Sequence, residues 1–296
     1  MKLSVIIVNY NSGAMIIDAI RSVFAQKGEL DIQLIVVDNG STDDSIAAIR
    51  KQIKEPICFV EMGRNAGFAA ANNAGLTKAV GEYILFLNPD TIVLEGALQT
   101  LTSYLDAHPE AGACGANLLD KNGQPQYSYA MLLPGWKMEW HGLFSNIFLR
   151  CKYHGSQTYN HTNQVLPVGY IMGADLMVRR KVLEQVGPMD KDFFLFYEET
   201  ELCYRIHRAG YNIVNVPQAQ IIHLEGQTID KLQIRQQQMM RSRDIYLHKC
   251  CSGAERWVAN SILWLSSTLR VICFAIAGKK EKVHFWSFIQ RHITQP

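Results

Sequence analysis

YILFLNPDT, residues 83–91, is the stretch on which the reading of this chain turns. Five consecutive apolar residues, Tyr83 to Leu87, have the length and continuity of a strand buried on both faces. Asn88-Pro89-Asp90-Thr91 then ends the run abruptly, because proline has no N–H for a sheet ladder. A core strand therefore delivers an Asn and an Asp, one residue apart, to its carboxyl end. Such a mount suits a carboxylate that must hold a hard cation. The same tripeptide is also good turn chemistry, so an Asx-turn stays open at this point.

Moving outward, Leu3–Val8, Ile32–Val37, Ile57–Met62 and Ala111–Leu118 are runs of the same kind. Helical periodicity fills the gaps between them. Ser12 is the expected cap of a helix with apolar residues at 16, 17, 20, 23 and 24. A second helix starts at Thr42 or Asp43 and ends near Lys54; others cover about Phe68–Val80 and Glu95–Ala107. Strand–helix alternation with short loops predicts an α/β protein, a Rossmann-like, mostly parallel sheet with helices on both faces. Ligands of such sheets bind beyond the carboxyl ends of the strands. The polar clusters fall at those ends: Asn9-Tyr10-Asn11 after Val8, Asp38-Asn39-Gly40-Ser41, Arg64-Asn65, and Asn88-Pro89-Asp90.

Residues 120–165 lose the alternation and carry Tyr127, Tyr129, Trp136, Trp140, His141, Tyr153, His154, Tyr159 and His161. A long irregular segment of this kind is usually functional or mobile. Val165–Val178 reads as strand and turn, Lys181–Val186 as a short helix. Phe193–Tyr197 forms an apolar wall, followed at once by Glu198-Glu199-Thr200-Glu201 and a helix to Gly210. Asn212–Val216 and Ala219–His223 read as strands, and the chain is predicted helical from Asp230 onward. The expected division is a catalytic domain over 1–228 and a basic helical extension over 229–296.

At 296 residues, with 48% apolar and 19% charged residues, the chain can bury a sizeable core. Net charge is only +2, but residues 241–296 hold nine Lys and Arg against three acids. Basic tails favour anionic surfaces. The seven scattered cysteines show no metal-ligand spacing and read as reduced thiols of a cytosolic protein. The short run in MKLSVIIVNYN reads as a first strand, not a signal peptide. The G-x-G-x-x-G and G-x-x-x-x-G-K-[ST] loops of dinucleotide enzymes and P-loop NTPases are missing. Nothing beyond the tail's charge suggests a nucleic-acid reader.

Individual residues admit two readings each. His223 could ligate a transition metal, for which imidazole suits Mn²⁺ better than Mg²⁺, or be a core histidine. Glu198, Glu199 and Glu201 could simply favour the positive end of a helix dipole, with Glu201 pairing Arg205. Two adjacent acids just past an apolar wall could also serve as a general base. Asp38 could accept a hydrogen bond from a base or ribose, or cap the next helix.

Taken in order, VIIVNYN (5–11), VVDNGSTD (36–43), RNAGFAAANNAG (64–75), FLNPDT (86–91), GADLMVRR (173–180), GPMDKDFFLFYEETELCYRIHRAG (187–210) and His223 carry a resemblance. The chain resembles the inverting glycosyltransferases of family 2, with the GT-A fold, and within them the bacterial rhamnosyltransferase-like branch. The resemblance implies that Val8, Asn9, Tyr10 and Asn11 line a nucleotide pocket and that Asp38 and Asn39 hold the base. Arg64, Asn65, Gly67 and Phe68 would close over the nucleotide, with Asn72 and Asn73 nearby. Asn88-Pro89-Asp90 stands at the family's Asp-x-Asp position; Asp90 would ligate Mn²⁺ or Mg²⁺, with His223 as second ligand. Asn88 departs from the commoner Asp and would bind ribose or a metal-bound water. Gly173, Ala174 and Asp175 would face the donor sugar and acceptor. Glu199 matches the catalytic base, with Glu198 beside it.

The branch favours dTDP-rhamnose as donor and a glycan, lipid-linked, as acceptor in surface polysaccharide synthesis of the O-antigen or capsule type. A UDP-sugar donor, a nucleotidyltransferase and a non-catalytic nucleotide-binding scaffold are the alternatives; intact Asp90, Glu199 and His223 argue against the last. In the tail, Trp257–Leu269 lacks charge, but polar residues and Arg270 interrupt the run a spanning helix needs. Apolar residues at 258, 262, 265, 269, 272 and 276 form one stripe. It could pack on the catalytic domain or on a partner subunit, which leaves a homodimer open. It could also lie in a membrane interface, with Trp257, Trp264, Trp286, Lys279, Lys280 and Lys282 as anchors. The expected location is the cytoplasm, peripheral at the inner face of the membrane.

Overall fold

The apolar runs become strands of one sheet in the computed structural model, which describes residues 2–26, 30–144, 151–152, 155–224 and 232–293. Tyr153, His154, the expected boundary at 228/229 and the helix start at Asp230 lie outside these residues. The chain divides into two compact units, one of Met1–Met131 and Ser156–Asp230, the other of Leu132–Gly155 and Lys231–Pro296.

In the first unit, β1 (Leu3–Asn9), β2 (Ile32–Asp38), β3 (Cys58–Glu61) and β4 (Tyr83–Leu87) are parallel, in the order β3-β2-β1-β4. Asn9 is level with Asp38, Asp38 with Glu61, and Ile7 with Leu87. Four strand ends, with their polar clusters, therefore share one edge. The sheet continues through β10 (Asp175–Arg179), β6 (Ala111–Leu119), β11 (Asn212–His223) and β5 (Thr91–Val93), with β8 (Leu166–Pro167) also on β11. It is mostly parallel but mixed: β10 is antiparallel to β4 and β6, and β5 and β8 are antiparallel to β11. An antiparallel strand begins where its neighbours end. That is why β10 brings Gly173–Asp175 to the edge where β4 delivers Asn88. A two-stranded ribbon pairs β7 (Tyr129–Ala130) with β9 (Tyr170–Ile171).

The two late runs are a single strand, β11, with a register irregularity between Val216 and Gln220 around Pro217, which has no N–H to donate. α1 (Met15–Phe24) buries Ile16, Ile17, Ile20, Val23 and Phe24, as its periodicity predicts. Ser12 does not cap it: Ala14 holds the N-cap position and the Ser12 hydroxyl is buried without a partner. α2 (Ser45–Gln52) starts later than expected, where Asp43 Oδ1 accepts from Ser45 N at 3.2 Å. α3 (Phe68–Leu76), α4 (Ala97–Ala107), α6 (Arg180–Val186) and α7 (Glu198–Arg208) complete the unit. The Arg179-Arg180 pair is structural. Buried Arg179 donates to the carbonyls of Leu105, His108 and Ala111, closing the end of α4, and Arg180 Nε donates to Gly81 O at 2.6 Å.

The second unit joins α5 (Trp136–Leu143), from the middle of the chain, to α8 (Leu232–Cys250), α9 (Gly253–Ile276) and α10 (Lys280–His292). A capping box of Ser252 and Glu255 starts α9. Arg243 ties three helices: it donates to Glu139 Oε1 at 2.8 Å and to Asn260 Oδ1 at 2.8 Å. Met240, Leu263, Ile289 and Ile293 form a small core, with Phe285 and Trp286 against it.

Candidate active site at the carboxyl edge of the sheet

Three loops of the first unit meet around β1 and β2. Asn9 is fully buried, and its Nδ2 donates to Ser41 Oγ at 2.9 Å and Ser45 Oγ at 2.8 Å. Asn39, also buried, donates to Asn65 Oδ1 at 3.0 Å and accepts from Ala66 N at 2.9 Å. Both brace loops from inside; Val8 and Asn72 are buried too, with Asn72 Nδ2 donating to Phe68 O within α3 at 3.1 Å. The accessible surface falls to Tyr10, Asn11, Arg64 and Asn65, with Asp38 and Phe68 half-buried. Asn11 holds a left-handed backbone (φ 52°) and its Oδ1 accepts from Thr42 N at 2.7 Å. Gly40 is required: at φ +79°, a Cβ there would stand 2.6 Å from the Arg64 backbone.

At the end of β4, Asp90 is buried and its Oδ1 lies 3.4 Å from His223 Nε2. Asn88 Nδ2 lies 3.5 Å from the same nitrogen. The pairing of β5 with β11 sets this meeting, since His223 is opposite Thr91 and Leu224 N donates to Asp90 O at 2.9 Å. An oxygen and a nitrogen donor so placed fit a divalent cation that completes its shell with ligand oxygens and water. His223 Nδ1 is buried without a partner, which leaves the Nε2 lone pair available if Nδ1 carries the proton. Among the described residues no group of three His, Cys, Asp or Glu could hold a metal, so the pair would need a ligand's oxygens.

The turn before β10 links this corner to the acids. Ala174 O accepts from Asn88 N at 3.0 Å, while a Cβ on Gly173 would lie 3.6 Å from Glu199 Cδ. Glu198 and Glu199 open α7 and are both buried. Burial pushes the Glu199 carboxyl up to about 7, against hydrogen bonds from Thr200 and the backbone that favour the charged form. Glu198 is held well above the usual carboxylate range by burial and by its neighbour Glu199. Burial thus raises both carboxyls of the pair, Glu199 to near neutrality. Asp175 is fully buried, with Oδ2 on Ala116 N at 2.5 Å and Oδ1 without a partner; burial pushes it up to about 7. Ala174 packs in the core, so neither it nor Asp175 presents surface.

The acids sit behind a strained turn. Phe196 and Tyr197 both adopt positive φ, 67° and 70°, a costly state for aromatic residues. Phe68 N donates to Phe194 O at 2.8 Å, and Gly67 (φ +91°) gives way to Phe194, whose O would lie 2.7 Å from a Cβ. Asn73 clasps Met189 in both directions, at 2.7 and 3.0 Å. Two residues missed by motif reading also belong here. Tyr127 and Tyr170, hydroxyls 3.5 Å apart, feel the charge of Glu199. Only their aromatic character in the irregular segment and beside Gly169 could have signalled them.

The model of the family described as glycosyl transferase family 2 matches residues 4–187. The chain is 26% identical over 208 residues to an N-acetylglucosaminyl-diphospho-decaprenol L-rhamnosyltransferase of Mycobacterium tuberculosis, covering 66% of this chain and 67% of that one. It is also 26% identical over 227 residues to the dTDP-rhamnosyl transferase RfbF of Shigella flexneri, covering 75% and 68%. Among solved structures, a mannosyltransferase of Pyrobaculum calidifontis in complex with GDP-Man and Mn²⁺ is similar at TM-score 0.61 and 18% identity. That match covers 99% of this chain and 84% of the other.

Proposed function

The chain belongs to glycosyl transferase family 2 and is a glycosyltransferase of GT-A fold, and from that premise we propose that it transfers L-rhamnose from dTDP-rhamnose, with inversion, to a lipid-linked glycan. The observation that carries the mechanism is the Gly173–Ala174 turn, which joins the Asn88–Asp90 corner to Glu199. Tyr10, Asn11, Asp38, Arg64 and Asn65 bind the nucleotide. Asp90 and His223 would hold a divalent cation, Mn²⁺ or Mg²⁺, which would neutralise charge on the diphosphate leaving group. Glu199 takes the proton of the acceptor hydroxyl as that oxygen bonds to the anomeric carbon and the bond to the diphosphate breaks. Burial and the neighbouring Glu199 disfavour the charged form of Glu198, which limits the negative charge beside the acceptor. Gly173 leaves room beside Glu199 for a hydroxyl, and Tyr127 and Tyr170 flank the acceptor side.

The two rhamnosyltransferase relatives support the donor, and the decaprenol in one name supports the lipid acceptor. The place of action follows as the cytoplasmic face of the membrane. A UDP-sugar donor is the alternative. A panel of dTDP-rhamnose, UDP-sugars and GDP-mannose, with and without Mn²⁺, separates them. Metal-dependent binding of dTDP-rhamnose alone is expected; preference for a UDP-sugar would reassign the donor.

A further inference from the structure

α9 is built inside out. Its buried residues are Ala259, Asn260, Leu263, Ser266 and Ser267, small or polar except one. Its large apolar residues face outward: Trp257 is 54% exposed, Trp264 51% and Ile276 84%, with Leu265, Leu269 and Ile272 also exposed. A helix of a globular protein normally turns its apolar stripe to the core. Here the inner face is satisfied by polar partners. Arg243 donates to Asn260, Ser267 Oγ to Leu263 O at 2.7 Å, and Gln290 Nε2 to Thr268 Oγ1 at 2.7 Å. α5 lies alongside, with Arg270 donating to Gly142 O at 2.5 Å, and contributes Trp136, Trp140 and Phe144, each more than a third exposed.

Charge names the occupant of this face. The second unit holds fourteen Lys and Arg against four Asp and Glu, a net +10, whereas the first unit holds fifteen against twenty-three, a net −8. Lys137, Lys279, Lys280 and Lys282 are exposed beside the apolar residues. A second copy of the same face would bring +10 against +10. An anionic lipid surface complements both the charge and the tryptophans. At 24 residues, with a mean hydropathy of 1.4 over its most apolar 18-residue window, α9 has the length and composition to cross a bilayer. Yet one side is covered by polar contacts, and Arg270 stacks over Trp286 at 4.3 Å within the unit. We propose that the outer face of α9, with the aromatic residues of α5 and the lysines after Ile276, docks this protein in the plane of an anionic phospholipid surface.

This goes beyond the donor and base assignments and holds whichever sugar is transferred. The test is co-sedimentation of the full chain with vesicles of phosphatidylcholine alone or mixed with phosphatidylglycerol, at low and high salt. The expected result is binding to the mixed vesicles, weakened by salt. Lys279→Glu/Lys280→Glu should bind about tenfold more weakly, and Leu269→Glu/Ile276→Glu should lose binding. These side chains are exposed, so melting temperature and nucleotide binding should stay as in wild type. Absence of binding to the anionic vesicles overturns the proposal, as does binding that survives Leu269→Glu/Ile276→Glu. A wild-type dimer in sedimentation velocity that this double variant splits would assign the face to self-association instead.

Discussion

Asp175 places a carboxyl group where the sheet gives it one hydrogen bond and buries it fully. Its native value of about 7 lies above the ordinary 3.8, so the folded chain binds this proton more tightly than the unfolded one. The stability it contributes is complete below about 3.8 and is lost as pH rises through 7; Glu199 acts likewise between 4.5 and 7. Asp43 and Asp106 shift the other way, so the comparison must be with a variant. Asp175→Asn should flatten the fall of melting temperature between pH 4 and 7, measured with chelator and without nucleotide; an unchanged slope would contradict this. Asp90→Ala should weaken donor binding at least about tenfold in Mn²⁺ and change little in chelator, as titration calorimetry would read. The placement of Asp90 and His223 at strand ends and of Glu199 at a helix start was legible in the sequence, because apolar runs that stop at polar residues mark such ends. The burial of Asn9, Asn39, Ala174 and Asp175 was not, since it depends on loops and a strand direction that no local pattern records.

The turn at 193–197 shows how elements hold a strained segment. Two consecutive left-handed aromatics cost roughly 1–3 kcal/mol each, and the neighbouring elements over-determine them. Arg205 of α7 forks onto Glu201, with both contacts at 2.7 Å, and donates to the carbonyls of Val186, Gly187 and Pro188. Arg205→Ala would strand the buried Glu201 and the end of α6, costing about 3–5 kcal/mol in urea unfolding. Lysine cannot reproduce the fork and should rescue little; a loss below about 1 kcal/mol would disprove this clamp. Gly67→Ala forces a left-handed Cβ into Phe194 and should lower both stability and nucleotide affinity. The Glu201–Arg205 spacing was visible at i,i+4. β5, three residues long, offers no period, and the alternation that revealed strands says nothing of β10's direction. α5 escaped for a different reason: Trp136, Trp140 and Leu143 share one face, but eight residues with Gly142 among them are too short a window to establish a helical period.

At the scale of the molecule, one chain supplies an acidic unit that carries the polar carboxyl edge of the sheet and a basic unit built from two separated segments. Arg243 is one link between those segments, buried between Glu139 and Asn260. Arg243→Ala should cost the second unit about 3–5 kcal/mol while leaving nucleotide affinity at the first unit's edge unchanged; parallel loss of both would show that the units do not act separately. The basic tail was readable from composition, but its partnership with residues 132–155 was not, because contact between distant segments leaves no local signature. The chemistry proposed for this chain rests on Glu199 acting as the base beside a site assembled at the carboxyl edge of the sheet. Its most direct test is to measure donor affinity and transfer rate together for Glu199→Gln. Donor affinity should stay near wild type while transfer falls by about 10²–10⁴. Near-normal transfer with the same affinity would contradict it and move the base elsewhere.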